Sequence, residues 1–166
     1  MKIDARRIYS LNNQAVGDGP VIYWMSREQR VSDNWGLCHA QQLALERGVP
    51  LLVVFTLADR FLGAPLRQYS FMLQGLEQVA HQLAALDIPL LLLRGEPQQR
   101  LLQLLTQERG GCVVCDFDPL RIKRQWFDGV AAAVPVAVLE VDGHNIVPCR
   151  IRSEEHTSEL QSRQSI

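Results

Sequence analysis

Apolar residues in this chain form short, nearly unbroken runs, separated by longer stretches where they recur every three or four positions. These runs are 21–25, 51–55, 88–93, 112–115 and 135–141, the last interrupted only by Glu140. Runs of this length, rich in Val, Ile and Leu, suit strands covered on both faces. Between them, Leu37, Ala40, Leu43 and Ala44 form one helical stripe, stopped by Gly48 with Pro50 beyond. Tyr69, Met72, Leu73, Leu76, Val79, Ala80 and Leu83 form the strongest stripe, predicting a helix from Pro65 onward that lies on a sheet. Pro97 opens a third helix carrying Leu101, Leu104 and Leu105, which ends at Gly110-Gly111. Asp118-Pro119 caps a fourth, with Ile122, Trp126 and Val130 inward.

Five strands alternating with four helices through short connections predict an α/β fold: a Rossmann-like, doubly wound, five-stranded parallel sheet. The order 3-2-1-4-5 sets the loops after strands one and four side by side at the switch point, where such sheets bind ligands. Residues 1–19 are turn-rich and polar and read as an N-terminal arm, residues 20–150 as the domain. From 151 to 166 the pattern fails. That tail reads as disordered or loosely helical, and it is similar to translated adapter sequence, so it is set aside as non-native.

Composition narrows the function classes. The chain has 166 residues, 47% of them hydrophobic, and a formal net charge of -1. This is enough for one domain with a true core, and bulk charge does not favour nucleic-acid binding. No apolar run approaches the roughly 20 residues of a membrane span, and the charged start is not a secretory signal. Four cysteines fit the reducing cytoplasm. Cys112 and Cys115 invite a redox or zinc reading, but side chains three apart in a strand face opposite ways, and no second Cys or His pair follows at zinc spacing.

Candidate chemistry gathers after strands one and four. The loop in PVIYWMSREQRVSDNWGL (20–37) carries Arg27 and Arg30, which either shape a ligand pocket or brace a domain junction. Asp33 is expected to cap the following helix and pair with a nearby Arg. After strand four, Phe117 could stack on a flat ligand while Arg121 or Lys123 meets an acidic group, against the plainer reading of a capped helix with a basic first turn. Asp142-Gly143-His144-Asn145 reads equally as a domain hinge or as a turn held by its own Asp and Asn. No Gly-rich phosphate loop follows strand one, and neither a nucleophile elbow nor a carboxylate pair is present.

WMSREQRVSDNWGL (24–37), LRQYSFMLQGLEQV (66–79), CDFDPLRIKRQW (115–126) and EVDGHNIVPC (140–149) together resemble the class II cyclobutane pyrimidine dimer photolyases. The resemblance spans about 20–150 and covers only that family's N-terminal α/β domain. It implies light-driven repair, in which excited reduced FAD lends an electron to a dimer extruded from damaged DNA. It also implies that FAD and lesion contacts lie in a C-terminal helical domain, whose residues cannot be assigned here, and that this domain meets the present one. Some family members hold a deazaflavin-type antenna pigment at the carboxyl edge of this sheet. Placement there would bring Met25, Arg27, Phe55, Arg94, Asp116, Phe117, Arg121 and Lys123 toward it. Membrane and metal partners are not implied. A cryptochrome-like light receptor and a stand-alone nucleotide-binding module are the competing readings. A domain separated from its partner should also expose an apolar patch, expected near Trp126 and Phe127 or within 140–149.

Overall fold

A computed structural model describes residues 3–151, so the expectation for the tail beyond 151 lies outside the described residues. The elements are β1 (Ile8–Ser10), β2 (Val21–Met25), α1 (Trp35–Arg47), β3 (Leu51–Leu57), α2 (Leu66–Ala84), β4 (Leu90–Arg94), α3 (Pro97–Gln107), β5 (Cys112–Asp116), α4 (Arg121–Ala133) and β6 (Ala137–Val141). They build one sheet in the order β1-β6-β5-β2-β3-β4. The five parallel strands keep the expected order, as β4-β3-β2-β5-β6.

The strand count differs from expectation. Residues read as an arm supply a sixth, antiparallel edge strand, with Ile8 opposite Val141 and Ser10 opposite Leu139. Three residues show too little alternation to register as a strand, and pairing with β6 is what extends them. Asn12 secures the end of this strand: its amide donates to Ala131 O and Val136 O at 3.1 and 3.0 Å and accepts from Val138 N at 3.2 Å.

Alternation along the central strands divides the core in two. Val21, Tyr23 and Met25 pack under α1 and α2 with Leu76, Val79 and Leu83. Ile22 and Trp24 pack against α3 and α4 with Leu101, Phe127 and Val130. Cys112 lies in the first layer and Cys115 in the second, so the two thiols face opposite ways. Burial pushes the Cys112 thiol up to about 12 and Cys115 well above its ordinary value. Glu140, fully buried in β6, is held by both carboxylate oxygens to Arg124 of α4 at 2.7 and 2.6 Å, which pays for its desolvation.

Helix ends follow local chemistry with two exceptions, the starts of α1 and α4: the N-cap position of α4 is Leu120, without a side-chain cap, and Asp118, expected as the cap, instead accepts from Leu120 N at 3.0 Å. Gly48 closes α1 in the left-handed region (φ 65°), and Pro97 takes the first turn of α3. The cap of α1 is Asn34, not Asp33: Asn34 Oδ1 accepts from Leu37 N at 2.8 Å, while Asp33 turns the chain with φ 53°. Inward on α4 is Phe127, fully buried, with Trp126 only half-buried. Phe127 therefore contributes no surface patch; within 140–149 the exposed apolar residues are Ile146 and Val147.

If residues 8–12 belong to the fold, Asn12→Ala strands two carbonyls and one N–H and should lower unfolding free energy by about 1–3 kcal/mol in urea titration. A change within error would return this segment to the status of an arm.

Candidate functional site

The carboxyl ends of β2 and β5 are joined by Asp116, which is 1% exposed. Its Oδ2 accepts from the backbone N–H groups of Ser26, Arg27 and Glu28 at 2.9, 2.8 and 3.0 Å. Its Oδ1 accepts from the Tyr23 hydroxyl at 2.6 Å. Three successive N–H groups converging on one oxygen form an anion nest, here filled by a side chain of the neighbouring strand. Asn34 completes the network: its amide nitrogen lies 2.9 Å from the Tyr23 hydroxyl and 2.8 and 2.9 Å from the carbonyls of Glu28 and Arg30. Gly36 lets α1 approach this closely. A Cβ there would stand 2.8 Å from the Tyr23 ring and 3.0 Å from Asp116 Oδ1.

Arg30 pairs with the buried carboxylate of Glu28 and donates to the Asp33 carbonyl at 3.0 Å. The expected Asp33–Arg side-chain pair is replaced by these contacts; Asp33 Oδ1 accepts instead from Trp35 Nε1 at 3.2 Å. Desolvation, reinforced by the charge of Asp116 and the hydrogen bond to it, pushes the Tyr23 phenol well above its ordinary value.

Beside this latch opens a cleft of about 370 Å³, between the first turns of α2, the loop after β3 and the start of α4. A nineteen-residue helix is roughly 28 Å long and the five-residue β4 roughly 17 Å, so α2 overshoots the sheet and its leading turns form a wall. Tyr69 and Met72 stand on that wall, and the Tyr69 hydroxyl is tied to Ala58 O at 3.0 Å. Phe61 and Trp126 flank the opposite side, ring centroids 6.0 Å apart. Between them sits Lys123: its Nζ is 5.2 and 5.1 Å from the two ring centroids and donates to Ser26 Oγ at 2.6 Å. Burial lowers the Lys123 pKa, against the opposing pull of Asp118 and Asp116.

Of the eight residues placed at this edge from sequence, Arg27, Phe55 and Lys123 line the cleft. Met25 is fully buried under α1 and α2, and Asp116 is engaged by the chain itself. Phe117 is half-buried near the Arg124 guanidinium, 5.8 Å away; Arg121 is exposed; Arg94 reaches the surface and pairs with Asp59 at 2.7 Å. Sequence reasoning missed Tyr69, Met72, Phe61 and Trp126 as cleft residues. Three of them read as ordinary helix stripes, and only the overshoot of α2 past the sheet and the inward place of Phe127 would have separated them.

The sequence model of the DNA photolyase family matches residues 21–159. The chain is 48% identical over 136 residues to a deoxyribodipyrimidine photo-lyase of Potorous tridactylus, covering 81% of this chain and 26% of that protein. It is 46% identical over 132 residues to one of Arabidopsis thaliana, covering 78% and 27% respectively. A Methanothermobacter thermautotrophicus protein of the same name is 32% identical over 155 residues, covering 92% and 34%. Thus the chain spans about a quarter to a third of the length of these relatives. A solved cryptochrome from Synechocystis sp. PCC6803 shares the fold, with a TM-score of 0.58 at 18% identity over 68% of this chain and 25% of that one.

Two predictions test the latch. Asp116→Asn aims an amide nitrogen or a weaker acceptor at three N–H donors, and should cost about 2–4 kcal/mol while speeding amide exchange at residues 26–28. Exchange there unchanged from wild type would refute the latch. Because the Tyr23 pKa is raised in the folded state, its protonated form contributes stability that is intact below pH 10 and drains away as pH rises through the folded value. Stability of Tyr23→Phe should therefore fall less steeply than that of wild type above pH 10, as denaturant midpoints would show.

Proposed function

The chain belongs to the DNA photolyase family, and from that membership we propose that it is the N-terminal α/β domain of a cytoplasmic class II deoxyribodipyrimidine photo-lyase, serving as a cradle for an antenna pigment. In this reading FAD and damaged DNA are held by a C-terminal helical domain that packs against this one. The domain unit takes in β1 together with residues 20–150, and the flavin of the C-terminal domain carries out the electron transfer that opens the dimer. The sensory reading has only a shared fold in its favour, and a stand-alone nucleotide module gains nothing from a cleft without a Gly-rich loop.

The observation that carries the proposal is the aromatic-walled cleft with one half-buried amine. At about 370 Å³ it lies within the usual range for small-ligand sites. Phe61 and Trp126 supply ring faces for a flat heterocycle, and Phe55, Tyr69 and Met72 supply an apolar floor and wall. Lys123, already largely stripped of water, favours a ligand bearing an ionised hydroxyl or carboxylate, with Arg27 at the same cleft. These features fit a deazaflavin-type pigment. Bound there, such a pigment would absorb light and pass the excitation to the flavin. Asp116, Met25 and Phe117 support the cleft from beneath or beside it, while Arg94 and Arg121 would contact only parts of a ligand that extend beyond its mouth.

Expression in a deazaflavin-producing host should yield protein with a near-stoichiometric visible chromophore, and Lys123→Ala should weaken retention about tenfold, or ~1.4 kcal/mol. The chain alone should neither take up FAD nor repair dimer-containing oligonucleotides under blue light. Colourless protein from such a host would remove the antenna role, and repair by the isolated chain would remove the division of labour.

A further inference from the structure

The loop leaving β6 is ordered far more tightly than its exposure requires. Asp142, 1% exposed, accepts from Asn145 N at 3.2 Å, from the Asn145 amide at 2.9 and 3.0 Å and from Cys149 N at 2.9 Å. Arg7, from the segment just before β1, donates to the carbonyls of Asp142, Asn145 and Ile146 at 3.1, 2.6 and 2.6 Å, with its guanidinium 4.3 Å above the Trp35 ring. His144 Nδ1 stands 3.5 Å from the buried Glu28 carboxylate. On this frame Ile146 is 95% exposed, the most exposed large apolar side chain among the described residues, and Val147 beside it is 55% exposed. A bare isoleucine on a slack loop would carry no meaning. One whose own carbonyl is captured by a half-buried arginine is held in a fixed position before anything meets it, which is how a docking element avoids the ordering cost of binding.

We infer that Ile146 and Val147 are a preorganised knob that seats in an apolar socket of the C-terminal portion of the same polypeptide. The inference rests on the photolyase reading above. Two facts select this occupant. The photolyase relatives are about four times the length matched here, so some three quarters of such a polypeptide lies outside the matched part. Two aliphatic side chains also cover only a small part of the roughly 800 Å² per partner that a separate protein or a second copy needs, whereas a tethered partner meets them at high effective concentration. Residues 149–151, which follow the knob after Pro148, are helical.

The test is made in the complete polypeptide with Ile146→Asp combined with Val147→Asp. Wild type should unfold in one transition; the double variant should unfold in two, and protease should cut the segment after residue 151 at least tenfold faster. Arg7→Ala should act in the same direction more weakly. A single transition with unchanged cleavage in the double variant overturns the inference. So does a loss of stability when the same two changes are made in the present 166-residue chain, since a knob in water contributes nothing to its own domain. Self-association of the present chain that the double variant abolishes would assign the knob to a second copy and equally overturn it. A complete wild-type polypeptide that unfolds as one unit, splits on the double substitution and yet fails to repair dimers would sink the repair reading and uphold the docking.

Discussion

One carboxylate organises the carboxyl edge of this sheet. Asp116 takes up the N–H groups of three consecutive residues that would otherwise point at a ligand or at water, and adds the Tyr23 hydroxyl. In many doubly wound folds the loop after the first strand presents such N–H groups to a phosphate. Here the protein fills the nest itself. The β2–α1 loop is thereby drawn over the end of β5 and rigidified. The open space lies to one side, in the cleft between α2 and α4, lined by aromatic faces and one amine in place of backbone donors.

The same network explains why four separated stretches of sequence belong together. Ser26, Glu28 and Asn34 come from the first, Asp116 and Lys123 from another, and Asp142, His144 and Asn145 from the last, and hydrogen bonds or ion pairs link them across the strand ends. Tyr69 and Met72, from the stretch on α2, close the far side of the cleft. Most of these residues therefore hold the edge in shape; few face the cleft. A polar motif at a strand end is as often the frame of a site as its contents.

Burial of charge follows one pattern at three carboxylates. Glu140 is matched by two arginines, Asp142 by N–H donors of its own loop, and Asp116 by a nest and a phenol. Each is a low-dielectric ionic group made tolerable by directional hydrogen bonds, and each fixes a register or a loop that apolar packing alone would leave slack. Lys123 stands apart. It has a hydroxyl and two ring faces but no ion-pair partner within the described residues, which leaves its charge available to whatever enters the cleft.

Hydrophobic periodicity along the chain was sufficient for the five parallel strands and four helices, and with a handed crossover rule for the strand order, because each depends on patterns within ten to twenty residues. Caps such as Gly48 and Pro97 were legible for the same reason. What the chain could not disclose were contacts set by the packed fold, several of them between residues about a hundred positions apart. Ile8–Ser10 becomes a strand only because β6 offers an edge, Asn34 displaces Asp33 as the cap because Tyr23 and the loop carbonyls reward its amide, and Asp116 becomes a latch because β5 lies beside β2. Trp126 and Phe127 show the limit most plainly. Adjacent positions on one helix cannot be ranked by period alone, and only the packed sheet decides which ring goes into the core and which is left to line a cleft.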